Sequence, residues 1–159
     1  MNRSTLPYSN IAPAAVLVAN RHPAEATHYQ FLLPIHTKNP LNNSQGTTRG
    51  GMYMRARERA AQRGLVGLVL SPARKRLTAL LHETGLIVTL TRCAPSSGLD
   101  DDAIAPSMKS IRDGIADVLG LKTDRTPLIT WRYAQQRSKP KVYQVHVTIE
   151  RRGEPCERI

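Results

Sequence analysis

The segment "IAPSMKSIRDGIADVLG", residues 104–120, decides the fold of this chain, because its apolar residues recur with the period of a helix. Spacings of four, three, four and three place these residues in one apolar stripe of an amphipathic helix: Ile104, Met108, Ile111, Ile115 and Val118. Gly120 directly follows the stripe and predicts a C-terminal helix cap. A helix with a single apolar stripe needs another layer to cover it, so we look for strands on either side.

Strands are predicted on both sides of this helix. "LIVTLTR" (86–92) is rich in β-branched residues and bounded by Gly85 and Pro95, which makes it the clearest strand. "LITWRYAQQ" (128–136) follows the helix as the next strand. The central part of the chain therefore predicts a β-α-β unit.

The outer elements complete the predicted domain. "HYQFLLPIHT" (28–37) indicates a first strand in which Pro34 favours an edge or a bulge, and "VYQVHVTIER" (142–151) alternates as a last strand. "MYMRARERAAQRGLVGLVL" (52–70) consists largely of good helix formers. The order β-α-β-α-β-β predicts a small single α+β domain, with a sheet of about four strands packed with two main helices.

The ends of the chain and one long connection look different from this domain. Residues 1–27 predict a loosely ordered arm, residues 38–51 a polar loop and residues 152–159 a frayed tail, which leaves 28–151 as the domain. No run of about 18 apolar residues is present, so we expect no membrane partner. The N-terminus makes a poor signal peptide, and a cytoplasmic location is predicted.

The 159-residue chain carries a formal net charge of +11, and its main basic segment is the first predicted helix with Arg49 just before it. A charge of this size suits a polyanionic partner such as DNA or RNA. The predicted phosphate-binding residues are Lys38, Arg49, Arg55, Arg57, Arg59, Arg63, Arg74, Lys75 and Arg76. An ordinary solvated helix face is the competing interpretation. With only seven aromatic residues, base stacking on an aromatic platform is disfavoured.

All six aspartates lie between residues 100 and 124, and three of them are adjacent. If the backbone there is extended, Asp100 and Asp102 share a face, and the β-α-β connection brings Asp124 towards them. Carboxylates placed together favour a cation such as Mg²⁺ and metal-assisted phosphodiester hydrolysis. Helix capping or a solvated loop would also explain the run. Asp113 and Asp117 are interpreted as an ordinary solvated face of the helix.

These segments together resemble the RusA-type Holliday junction resolvases, in particular their phage-like relatives. The resemblance runs through "VTLTR", the acidic "LDDD", the helix "IRDGIADVLG" and the strand motif W-x-Y-A-Q, and it covers roughly residues 29–150. "PIHTKNPLNN" followed by a basic helix is more weakly similar to the N-terminal half of the family.

The resemblance implies a homodimeric, Mg²⁺-dependent endodeoxyribonuclease that resolves four-way (branched) DNA junctions in recombination and repair. The D-x-D motif of the family falls on Asp100 and Asp102, and its later aspartate is best matched by Asp124. These three would hold Mg²⁺ and position the attacking water. Lys109 would place a positive charge near the scissile phosphate or balance the carboxylates.

Two residues depart from the family pattern next to these aspartates. Ala103 replaces a common Asn, and Pro106 stands in the first turns of the helix. Since Pro suits the first helical position, the helix is expected to begin at Pro106, with Asp102 in the loop. These departures keep open a nucleic-acid-binding protein on the same scaffold without cleavage. Composition alone also leaves open a basic RNA-associated protein.

Overall fold

The computed structural model describes residues 28–38, 49–96 and 98–153. Its four strands are β1 (His28–Leu33), β2 (Leu86–Ala94), β3 (Ile129–Arg137) and β4 (Gln144–Arg151). Its four α-helices are α1 (Arg49–Leu70), α2 (Arg74–Thr84), α3 (Asp101–Ser107) and α4 (Lys109–Val118). The predicted α+β class is confirmed, and the four strands follow one another along the chain as predicted. The predicted arm, residues 1–27, and most of the predicted tail lie outside the described residues.

The four strands form one mixed sheet in the order β1-β4-β2-β3. β4 pairs antiparallel with both β1 and β2, whereas β2 and β3 run parallel. β1 is an edge strand, as Pro34 led us to expect, and it ends at Leu33 directly before that proline. Although β3 and β4 are consecutive in the chain, they form no hairpin, because β2 lies between them.

The helices cover one face of this sheet. Along β2, Leu86, Val88 and Leu90 are fully buried, while the alternate residues Ile87 and Thr89 are only partly covered. Side chains alternate between faces along a strand, so the buried set points into the helical layer. The predicted apolar stripe from Ile104 to Val118 is buried as well, so the helical periodicity of residues 104–120 is confirmed.

The helical layer differs from the two main helices predicted: the helix predicted over 52–70 is α1, α2 was not predicted, and the second predicted helix is divided in two. The first helix begins at Arg49 and ends at Leu70, where a 3-10 turn over Ser71–Ala73, with Pro72 inside it, separates α1 from α2. The second region breaks at Met108, between α3 and α4. The prediction that this helix begins at Pro106 is wrong: α3 begins at Asp101, and Pro106 lies near its end.

The predicted cap at Gly120 is confirmed. Its φ is +72°, its N–H donates to the Asp117 carbonyl at 3.1 Å, and the N–H of Leu121 donates to the Ala116 carbonyl at 2.9 Å. This pair of bonds is a Schellman motif, which satisfies the last carbonyls of α4. The chain is thereby turned towards the loop that carries Asp124.

The part of the chain that the structure describes contains no helix of the length and apolar character required to cross a bilayer.

Candidate nucleic-acid interface

A groove of about 430 Å³ runs between the end of β1, helix α1 and the α3–α4 junction. We call it the basic groove, and its basic lining residues are Lys38, Arg55, Arg59, Arg63 and Lys109. Two carboxylates, Glu58 and Asp113, also line it, so positive charge dominates. α1 faces the groove with Arg55, Arg59 and Gln62 because residues three or four apart share one side of a helix.

The cations of the basic groove are engaged to different degrees. Arg63 forks onto the carboxylate of Asp117 on α4, with its Nη2 2.7 Å from Oδ2 and its Nε 3.0 Å from the same atom. Lys38 contacts Glu58 at 3.2 Å. Arg55 and Arg59 form no ion pair among the described residues and are therefore available to an external anion.

Other predicted phosphate-binding residues lie outside the basic groove. Arg57 is exposed but does not line it, because it is about 200° around α1 from Arg55. The run Arg74–Arg76 is exposed at the start of α2 and is likewise absent from the lining. Arg49 is the first residue of α1, and its side chain lies outside the described part of the chain. The structure thus brings together Lys38, Arg55, Arg59 and Arg63 from the predicted set.

Asp124 is buried in the loop after α4, with only 4% of its side chain exposed. Arg112 of α4 donates to its Oδ2 from Nε at 2.8 Å and from Nη2 as well, and the Lys109 Nζ lies 3.8 Å away. Burial alone would raise the pKa of this carboxyl, but the hydrogen bond and charge of Arg112, with the charge of Lys109, outweigh burial and lower it. Asp124 is thus held as a carboxylate by two cations.

β3 anchors the Asp124 loop through the W-x-Y-A-Q motif. The indole Nε1 of Trp131 donates to the Asp124 carbonyl at 2.9 Å, and the Tyr133 hydroxyl accepts a bond from Arg112 Nη1 at 2.9 Å. The Arg112 guanidinium also lies 5.6 Å from the centre of a Trp131 ring, within the range of a cation–π contact. The motif therefore fixes both members of the Arg112–Asp124 pair.

The same strand holds the aspartate run. Gln135, two residues beyond Tyr133, accepts from the Leu99 N–H and donates to the Leu99 carbonyl, both at 2.6 Å. Asp100 follows as the extended N-cap residue of α3, and its side chain makes no capping bond. Asp101 and Asp102 form the first turn of α3, so the premise that the backbone is extended across Asp100–Asp102 is wrong. All three side chains are exposed.

The structure brings together only part of the predicted catalytic set. Lys109 and Asp124 lie side by side, but Asp100 and Asp102 belong to the segment anchored at Gln135, four residues further along β3 than Trp131. Four strand residues span about 13 Å. Among residues 28–38, 49–96 and 98–153, no three His, Cys, Asp or Glu side chains are placed to hold a metal ion. The role of the three aspartates as metal ligands stays a prediction.

Sequence reasoning missed several residues that build this site. Asp113 and Asp117 were interpreted as a solvated face, yet Asp113 accepts from Lys109 at 3.0 Å and Asp117 pairs with Arg63 of α1. Arg112 had no assigned role. The W-x-Y-A-Q motif was the available signal, because its alternate residues share one face of a strand and point towards the helices. Its shared face would have indicated contacts with both acidic segments, the one that holds Asp124 and the one that follows Leu99.

Comparison with known proteins adds no identification: no family model matches the chain, and no curated protein matches it.

Proposed function

We propose that this protein acts on branched DNA and holds its phosphate backbone in the basic groove. The supporting observation is that Arg55 and Arg59 are unpaired among the described residues and project into a groove in which positive charge dominates. Arginines contact phosphate oxygens through a planar fork of donors, and each phosphate contact releases bound counterions from DNA. A net charge of +11 adds long-range attraction to any polyanion.

Preference for branched DNA comes from the resemblance to Holliday junction resolvases, and binding measurements test it directly. A four-way junction, a linear duplex of the same sequence and a structured RNA are compared at one salt concentration. We expect the junction to bind most tightly. Preference for the RNA would instead support an RNA-associated protein.

We further propose Mg²⁺-dependent cleavage of the bound junction as the activity. Its support is that Lys109 lines the basic groove and lies 3.8 Å from Asp124, while Asp100 and Asp102 present exposed carboxylates at the start of α3. Magnesium would supply charge stabilisation at the phosphate.

The test of cleavage incubates junction DNA with Mg²⁺ and either the parent protein, Asp102→Asn or Asp101→Asn. Asp101 is the matched control because it is adjacent, equally acidic and outside the proposed set. We expect the parent and Asp101→Asn to cut and Asp102→Asn to lose most of the activity. Equal cleavage by all three proteins would remove Asp102 from the site.

Binding without cleavage is the second candidate, and the Arg112–Asp124 pair favours it. A carboxylate already neutralised by Arg112 and Lys109 has less need of a further cation. Intact junction binding with no cleavage by any variant, at any Mg²⁺ concentration, would establish this candidate instead.

A homodimer suits both candidates, since a four-way junction has approximate two-fold symmetry that a closed dimer matches. Met52, Tyr53 and Met54 near the start of α1 are each more than 60% exposed and offer apolar surface for such a contact. Sedimentation of the free protein and of the junction complex tests this proposal, and a monomer in both states would contradict it.

A further inference from the structure

Arg92, near the end of β2, is a buried cation that has no role in the Arg112–Asp124 pair or among the lining residues of the basic groove. It is 5% exposed, and its only side-chain hydrogen bond among the described residues is a long one, 3.3 Å from Nη2 to Ser96 Oγ. Its Nε is buried with no partner. Burying a charge without a counter-ion is costly, and structures normally pair such groups.

The sheet register places Arg92 between the basic groove and the aspartate segment. Arg92 pairs with Gln135 of β3 on one side and with Val145 of β4 on the other. Gln135 is the residue that holds Leu99. Leu33 of β1 is the next residue across from Val145, and the chain continues from there to His36 in the groove wall. Because the alternate β2 residues Leu90 and Val88 point into the helical layer, Arg92 points there too.

His36 lies in the groove wall, close enough to Lys38 and Arg92 for their charges to affect its pKa. Burial lowers the pKa of His36 first, and the positive charges of Lys38 and Arg92 lower it further, while Glu58 acts in the opposite direction. The His36 ring stacks on Tyr143, with ring centres 3.8 Å apart, which holds it in place. His36 and Lys38 line the β1 end of the groove, where Lys38 pairs with Glu58. Arg92 lies two strands away in the register, and no carboxylate among the described residues pairs with it.

We propose that the β1 end of the basic groove, formed by His36, Thr37 and Lys38 beside Arg92, binds one phosphate group. This inference rests on the proposed function, since it names the position of a backbone phosphate within the same groove. A phosphate there supplies the counter-charge that Arg92 lacks.

Inorganic phosphate is the probe, and the thermal unfolding of the full chain is the first measurement. Midpoints are recorded against sodium phosphate and against sodium chloride at matched ionic strength. At ten times the dissociation constant, we expect phosphate to raise the Tm of the parent protein by about 3–6 °C more than chloride does. Arg92→Met should lose this difference.

Arg132→Met is the matched control. Arg132 lies on β3 opposite Thr89, on the other face of the sheet, and is exposed. It should keep the full phosphate effect. In chloride, Arg92→Met should be at least as stable as the parent, because it removes an unpaired buried charge. If Arg92→Met does not fold, Arg92→Lys replaces it and should retain a reduced phosphate effect.

The second measurement follows the histidine ring resonances of the parent protein by NMR. Phosphate should shift the His36 signals saturably, while those of His146, on the opposite sheet face, should stay in place. An unshifted His36, or an equal Tm rise in Arg92→Met and the parent, would overturn the proposal.

The two proposals fail separately. If the parent protein binds no junction DNA but phosphate still raises its Tm, the proposed function is wrong and the anion site remains. Intact junction binding without any phosphate effect would remove the anion site alone.

Discussion

Arg112 and Asp124, twelve residues apart in sequence, form a partly buried charge pair in which the Arg112 Nε donates to Asp124 Oδ2 at 2.8 Å. Trp131 and Tyr133 hold the two partners from β3, the first through the Asp124 carbonyl and the second through Arg112 Nη1. The pair therefore joins helix α4, the loop after it and the edge strand of the sheet. The pair links elements of the fold and also contacts Lys109, which lines the basic groove.

Asp124→Asn should destabilise the protein by about 3 kcal/mol at pH 7, because it leaves the partly buried Arg112 guanidinium without its counter-charge. Chemical denaturation of Asp124→Asn and of Asp101→Asn measures this, and the exposed Asp101 should change stability little. An equal effect of both substitutions would show that the Arg112–Asp124 pair contributes nothing specific.

The contribution of Asp124 should also depend on pH. Since folding lowers the pKa of its carboxyl, the stabilisation is fully present above the unfolded value of about 3.9 and is lost as pH falls through the folded value. The difference in stability between the parent and Asp124→Asn should therefore shrink below about pH 4. Denaturation midpoints measured from about pH 7 to about pH 2 test this, and a constant difference would contradict it.

Gln135→Ala should loosen the aspartate segment without unfolding the domain. Two hydrogen bonds to Leu99 are lost at an exposed site, which costs about 1 kcal/mol. Hydrogen exchange at Leu99 should accelerate, and any junction cleavage should fall. Gln136→Ala is the control, because Gln136 points to the other face of the sheet. Unchanged exchange at Leu99 would show that Gln135 does not hold this segment in solution.

Arg59→Gln should weaken DNA binding and reduce the slope of log K against log salt by about 1, as expected for the loss of one phosphate contact. Arg57→Gln makes the same chemical change two residues away, outside the basic groove, and should have a smaller effect. Salt titrations of binding by both variants make the comparison. If the two variants showed the same slope of log K against log salt, the DNA would not be bound specifically on the groove side of α1.

Gly114→Ala should destabilise the contact between α1 and α4. A Cβ at Gly114 would lie 2.8 Å from the Val66 Cβ, closer than packed carbons allow. Overpacking of this kind costs about 1–3 kcal/mol. Gly64→Ala provides the control on α1, where no atom lies within 4 Å of the added Cβ, and should stabilise by about 0.5–1 kcal/mol. Thermal unfolding of both variants measures the difference. A higher Tm in both would show that α1 and α4 are not tightly packed at Gly114.

Local patterns in the sequence determined much of this fold. The period of the stripe from Ile104 to Val118 predicted its burial, and Gly120 predicted the cap that ends α4. The strand segments predicted from the sequence match the four observed strands to within a few residues. These features follow from the geometry of single elements, so a short window of sequence contains them. Strand order is different: β3 and β4 are consecutive in the chain, yet β2 separates them, since pairing depends on the whole sheet.

The candidate site depended on tertiary structure for a different reason. Charge alone indicated a polyanionic partner, and the basic residues of α1 were visible in the sequence. Only folding decided that Arg55 and Arg59 face a groove while Arg57 does not. Likewise, adjacency in sequence did not specify which aspartates meet: Asp113 and Asp124 share the Lys109 ammonium, whereas Asp100 follows the segment held by Gln135. Trp131 and Gln135 anchor the two acidic segments at separate points on β3. The Asp124 carboxylate already forms a salt bridge with Arg112. Electrostatic partners are set by distances across elements, which no sequence spacing specifies.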